Sequence, residues 1–164
     1  MTKMEAPVFI GIDPGQTCGM AYRWPAWKTP NAVAIPITRL STLLQDVHDR
    51  DGERAIIFIE KASGRWGRFR EHQANANSVM KAVREVWVRK CRIFIYDPRT
   101  WQKGMLTGVP GETTKEQSLL LAAQLAPIHI HDHNQADAIC ILEYGWAQYR
   151  DLILKEDWVN TGKK

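Results

Sequence analysis

The sequence predicts an α/β domain built on a mixed sheet of five strands flanked by helices. Three observations predict it. Two apolar runs, Val8-Phe9-Ile10-Gly11-Ile12 and Ala55-Ile56-Ile57-Phe58-Ile59, have the length and composition of buried strands. The first is followed at once by Pro14-Gly15-Gln16 and a further strand-like run, which makes an antiparallel hairpin. From residue 38 onward, helical periodicity alternates with short apolar runs, and that alternation implies parallel pairing through crossovers.

Taken in order, residues 6–13 and about 17–24 form the hairpin. Residues 32–35 make a third strand, ended by Pro36. Residues 38 to about 49 read as a helix, with Leu40, Leu43, Leu44 and Val47 at helical spacing. The strand 55–60 follows. Residues 61–70, Lys-Ala-Ser-Gly-Arg-Trp-Gly-Arg-Phe-Arg, break every periodicity and read as a basic, aromatic, glycine-bearing loop. A long helix over about 71–89 then aligns Ala76, Met80, Val83 and Trp87. Residues 91–96 form the fifth strand, which Asp97-Pro98 ends, and a short helix covers 99–106. After a turn at 107–111, Thr113 or Thr114 caps a helix to about 125 that Pro127 stops. Asp132 or Asn134 caps the last helix, which runs to about 154. The expected organisation is one domain over residues 1–154 and a polar tail over 155–164, with no repeats.

The chain has 164 residues, enough for one sizeable core. Its 45% hydrophobic and 24% charged content is that of a globular protein, and its net charge of +4 leans mildly towards a polyanionic partner. Cys18, Cys91 and Cys140 fit no zinc spacing and read as reduced, buried thiols, which suits a cytoplasmic setting. The N-terminus is too polar and short for a signal peptide, and no apolar run approaches a membrane span.

Three carboxylates stand out. Asp13 and Glu60 each close a strand-like apolar run, and Asp137 lies early in the last helix. A buried strand has no reason to end in an unpaired acid, since an isolated buried charge costs several kcal/mol or more. Acids gathered from strand ends and a helix start can be stabilised by a divalent cation, which suggests metal-dependent phosphoryl transfer. Singly, each is more often a cap, a turn residue or a salt-bridge partner.

These residues carry a family resemblance. Gly11-Ile12-Asp13-Pro14-Gly15, Phe58-Ile59-Glu60-Lys61, Tyr96-Asp97-Pro98 with Trp101-Gln102-Lys103, Thr107-Gly108 with Lys115-Glu116-Gln117, and Gln135-Ala136-Asp137-Ala138 occur in an order that resembles the RuvC-type Holliday-junction resolvases, particularly phage members. The ordered set spans nearly the whole chain, although no single motif is specific. The resemblance implies a ribonuclease H-like fold and a homodimer that makes paired symmetric nicks in four-way and perhaps other branched DNA. It implies hydrolysis to 5′-phosphate and 3′-hydroxyl ends with Mg²⁺, for which Mn²⁺ can substitute. The metal ligands and catalytic residues are then Asp13, Glu60 and Asp137, with two ions roughly 4 Å apart sharing the scissile phosphate.

The chain departs from the family pattern one helical turn before its last Asp, where the family has an acid or His. Asn134, a poor metal ligand, is three residues before Asp137; His133 is four before and Asp132 five before. Because i and i+4 share a helix face, His133 is assigned as the fourth ligand or as proton acceptor for the attacking water. Asp132 can reach in from the loop if the helix starts later. Lys61, Arg65, Arg68 and Arg70 around Trp66 and Phe69 suit phosphate contact plus base stacking, with Lys103 and Lys115 matching family lysines near the DNA backbone. His129, His131 and His133 alternate as a zinc site can, but the resemblance favours a solvent-facing or structural role.

Rival readings are an RNA-processing nuclease of the same fold, a catalytically inactive junction-binding protein, and an actin-like ATPase. The last shares the Gly11–Gly15 motif but needs further glycine-rich phosphate loops that the sequence lacks.

Overall fold

The computed structural model describes residues 7–50, 52–64 and 68–161, with side chains through residue 150. Five strands form one sheet: β1 (Val8–Asp13), β2 (Thr17–Arg23), β3 (Asn31–Pro36), β4 (Ala55–Glu60) and β5 (Cys91–Tyr96). Their order is β3-β2-β1-β4-β5. β1 pairs antiparallel with β2 and parallel with β4; β3 is antiparallel to β2, and β5 parallel to β4. This is the expected mixed sheet. Pro36 closes β3 from within, which an edge strand tolerates.

Strand parity assigns the two faces. Val8, Ile10, Ile12, Ile57 and Ile59 point to one side. There they pack on α1 (Leu40–Asp49) and α2 (Arg68–Val86) through Leu40, Leu44, Val79 and Val83. Phe9, Ile56 and Phe58 point to the other side, against α3 (Pro98–Leu106), α4 (Thr114–Leu125) and α5 (His133–Thr161). By the same alternation Asp13 shares the Phe9 face and Glu60 shares the Phe58 face. Both acids therefore lie on the α5 side, at the carboxyl end of adjacent strands.

Helix α5 approaches the sheet closely because two strand positions lack a side chain. A Cβ on Gly11 of β1 would lie 2.5 Å from the Ala138 carbonyl oxygen and 2.6 Å from the Leu142 nitrogen. One on Gly19 of β2 would collide with the Asn134 carbonyl. Sandwiched between β1, β2 and α4, α5 is buried all round from Ala138 to Leu142.

Several boundaries differ from expectation. The first turn of the predicted helix 38–49 is a tighter 3₁₀ turn, Ile37–Arg39, so α1 begins at Leu40. α2 spans Arg68–Val86 rather than 71–89. Arg68, Phe69 and Arg70 are thus its first turn, not part of a loop, since nothing in them opposes a helix. It stops early because Arg89 adopts φ 61°, which turns the chain into β5. The last helix reaches Thr161, beyond the expected end near 154; no Gly or Pro occurs between Gly145 and Gly162. Thr113 caps α4 as expected, its Oγ1 accepting from Glu116 N at 3.2 Å, and Asp97, which the sequence marked only as a strand end, caps α3 by accepting from Arg99 N at 2.9 Å. Among the described residues, no helix is long and apolar enough to cross a membrane.

Candidate active site

The parallel register sets Ile12 beside Ile59, so the next residues on the two strands, Asp13 and Glu60, stand side by side. α5 delivers Asp137 to the same place from one turn inside its start. The three acids sense one another. Burial holds the Asp13 carboxyl well above its ordinary range, and the charges of Glu60, Asp137 and Asp132 push the same way. Glu60 is lifted to about 7 by burial first, against a hydrogen bond from Trp101, with Asp137 and Asp97 adding to the rise. Burial also raises Asp137, opposed by the Ser118 hydroxyl and by His133 and Lys115.

Among the described residues no Lys or Arg forms an ion pair with Asp13, Glu60 or Asp137. Nor do three described His, Cys, Asp or Glu side chains close into a ready-made metal cage. The site offers crowded hard oxygen donors that like-charge repulsion and burial leave short of a counter-charge. That donor chemistry fits a hard divalent cation.

At the fourth position, the three adjacent candidates have separate surroundings. Asp132 caps α5, its Oδ1 accepting from Asn134 N at 2.6 Å, and its charge reaches both Asp13 and Asp137. His133 is the first helical residue, with Nδ1 3.7 Å from Asp132 Oδ1, and it favours the charged form of Asp137. Asn134 lines a polar cavity of about 290 Å³ together with Asp13 and Glu60. Glu71, His72 and Asn75 at the start of α2 line that cavity too, and none was singled out from the sequence. No local pattern marks them; only the docking of α2 beside the strand ends does. Trp101 and Ser118 were likewise missed as partners of Glu60 and Asp137. The one available signal was that a buried indole requires an acceptor.

The basic candidates are spread around this end of the sheet. Lys61 is exposed, lines the cavity and directly follows Glu60, while its backbone N bonds to Tyr96 O at 2.7 Å. Arg68, Phe69 and Arg70 are exposed on the first turn of α2, Phe69 by 47%. Arg65 and Trp66 lie outside the described residues. Lys115 is exposed on the first turn of α4, close enough for its charge to act on Asp137; Lys103 is exposed on α3. His129 and His131 are exposed with their rings 4.0 Å apart edge to face. Cys18 and Cys140 are buried and free, their thiols pushed up to about 12 by burial and then by nearby carboxylates, so they stay protonated.

No family model and no curated protein sequence matches this chain. Solved structures do. One is Thermus thermophilus RuvC in complex with a Holliday junction substrate, at 19% identity and a TM-score of 0.62, covering 89% of this chain and 96% of that one. Another structure of Thermus thermophilus RuvC aligns at 20% identity and a TM-score of 0.56, covering 88% and 96%. The five-stranded sheet and its helices have the ribonuclease H-like fold that RuvC has.

Proposed function

We propose that this chain is a RuvC-type resolvase, a divalent-metal-dependent endonuclease that cuts four-way DNA junctions. The observation that carries the reading is the meeting of Asp13, Glu60 and Asp137 from β1, β4 and α5 on one face, at one end of the sheet, with no described ion-pair partner. The likeness to a RuvC bound to a Holliday junction supplies the substrate class. Asp13, Glu60 and Asp137 would hold Mg²⁺, or Mn²⁺ in its place. When bound, the cations would supply a water nucleophile at neutral pH and stabilise the leaving 3′ oxygen.

The residues of the chain do the rest. Asp132 and His133 stand at the start of α5, where either can complete the ligand set; we assign His133, which lies one helical turn before Asp137 and can also accept a proton from the attacking water. Lys115 near Asp137 and Lys61 after Glu60 contact phosphates next to the cut. Arg68 and Arg70 flank the exposed Phe69, a combination that suits backbone contact with stacking on an unpaired base. Lys103 contributes positive charge further along α3.

A four-way junction has two-fold symmetry, and paired nicks need two sites, so the active species is a homodimer. A groove of about 940 Å³ between α2 and the β5 edge supports self-association. It holds the half-buried Met80 and the outward-facing Val88 and Ile95, exposed by 66% and 54%. The activity belongs in the cytoplasm of a bacterium or of an infected host, where recombining DNA is found.

The deciding experiment is cleavage of an end-labelled four-way junction with Mg²⁺, beside linear duplex and single strand, using wild type and Asp13→Asn. Symmetric nicks in the junction alone, lost in the variant, are expected. Firm junction binding without cutting would make the chain a binding module. Cleavage of structured RNA instead would make it an RNA-processing nuclease.

A further inference from the structure

Trp101 projects from the middle of α3, and its side chain is 1% exposed. An indole N–H buried to this degree needs an acceptor, because leaving it unpaired costs about 1–3 kcal/mol. Its acceptor is Oε2 of Glu60, at 2.6 Å. The distance is short for a nitrogen donor and belongs with charge-assisted hydrogen bonds.

Both ends of this bond are rigidly supported. Glu60 is paired with Tyr96 in the parallel β4–β5 register, and Lys61 N continues that pairing onto Tyr96 O. α3 starts two residues after Tyr96, with Asp97 as cap and Pro98 in the first turn. One turn further along, α3 lies tight against α5, since a Cβ on Gly104 would sit 2.6 Å from the Tyr144 ring. The strand register therefore determines where α3 begins, and α3 holds the indole over the carboxylate.

The geometry points to Trp101 as a positioning residue that orients Glu60 for a divalent cation, an inference that rests on the metal-dependent reading above. A neutral donor suits the task for a physical reason. An Arg or Lys at this place would fix the carboxylate but cancel the charge that attracts the cation. The indole N–H fixes one oxygen, Oε2, and leaves the charge in place with Oε1 as the ligand atom. Trp101 touches neither substrate nor cation; it acts through Glu60.

The test is Trp101→Phe, which keeps an apolar ring and removes the donor. Mg²⁺ binding is measured by calorimetry on the free protein, and junction cleavage is measured across Mg²⁺ concentration. The Mg²⁺ midpoint is expected to rise about tenfold in both assays, while cleavage at saturating Mg²⁺ returns to within about threefold of wild type. A packing defect alone would lower the maximal rate without moving the midpoint. A midpoint within about twofold of wild type overturns the inference.

A second measurement needs no substitution at Trp101. Among the seven tryptophans of the chain, one indole N–H resonance is expected to shift both on Mg²⁺ titration of wild type and in Glu60→Gln. If no indole proton responds to both, the inference fails even where Trp101→Phe does not fold. Failure of the wild type to bind Mg²⁺ or cut the junction removes the functional reading and this inference together. Normal cleavage with an unmoved midpoint in Trp101→Phe removes only the latter.

Discussion

Helix α5 carries two acids into its interface with the sheet, and the fold treats them in opposite ways. Glu143 meets Arg23 of β2 at 2.7 Å, with side chains only 16% and 11% exposed, and the guanidinium lies 5.2 Å from the Trp146 ring centroid. Asp137, six residues earlier and about 9 Å along the helix, meets Asp13 and Glu60 instead. The same helix and sheet can thus place an arginine against a half-buried carboxylate, and at the carboxyl end of β1 and β4 they do not. The contrast fits the proposed function, in which the crowded end gives up folding stability for a cation. Substitutions at the two ends should therefore have opposite signatures.

The largest effect is expected at the crowded end. Asp13→Asn should cut junction cleavage about a thousandfold or more, yet raise the Tm measured in EDTA, because a like charge has been removed. A fall in metal-free Tm would break the comparison. At the paired end, Glu143→Gln leaves Arg23 buried without its counter-charge and should cost about 3 kcal/mol in urea unfolding. Its Mg²⁺ midpoint should stay that of wild type; a shifted midpoint would mean that the two ends are one coupled unit.

A smaller effect is the pH dependence of the metal-free protein. Burial and like charge raise Glu60 from its ordinary 4.5 to about 7. Between those values the folded protein keeps a proton that the unfolded chain has released. The stabilisation is complete below about pH 4.5 and is lost as the pH rises through about 7, and Asp13 and Asp137 act with the same sign. The Tm in EDTA should therefore fall from pH 5.5 to pH 8, and Mg²⁺ should restore it more at pH 8 than at pH 5.5. In Glu60→Gln the slope should flatten. The smallest expected effect is that of Lys115→Gln. It should lower the salt slope of junction binding by about one and leave stability within about 0.5 kcal/mol of wild type.

The five strands, their mixed pairing and the two strand-end acids were legible in the sequence because each leaves a local signal. A five-residue apolar run that ends in Asp or Glu looks unusual without any knowledge of its neighbours. Partners were not legible, since they depend on docking. Trp101 lies 41 residues from Glu60 in sequence and Arg23 lies 120 from Glu143. Their pairing follows from strand register and helix placement, which no single segment encodes. The start of α2 was missed because glycine and arginine density between residues 61 and 70 masked a helix-compatible Arg68-Phe69-Arg70. The fourth ligand position stayed open for a different reason. Asp132, His133 and Asn134 are consecutive residues around a helix start, where one residue of offset decides which side chain turns inward.

The two glycines beneath α5 carry no chemistry, yet they set how far Asp137 stands from Asp13. A single added methyl at Gly19 would meet the Asn134 carbonyl, one turn before Asp137, and one at Gly11 would meet Ala138 directly after it. The spacing of the acids is thus recorded as missing atoms on the strands. Variation that spares every charged residue can still displace the acids of the proposed site, and a survey of harmful changes confined to polar positions would overlook Gly11 and Gly19.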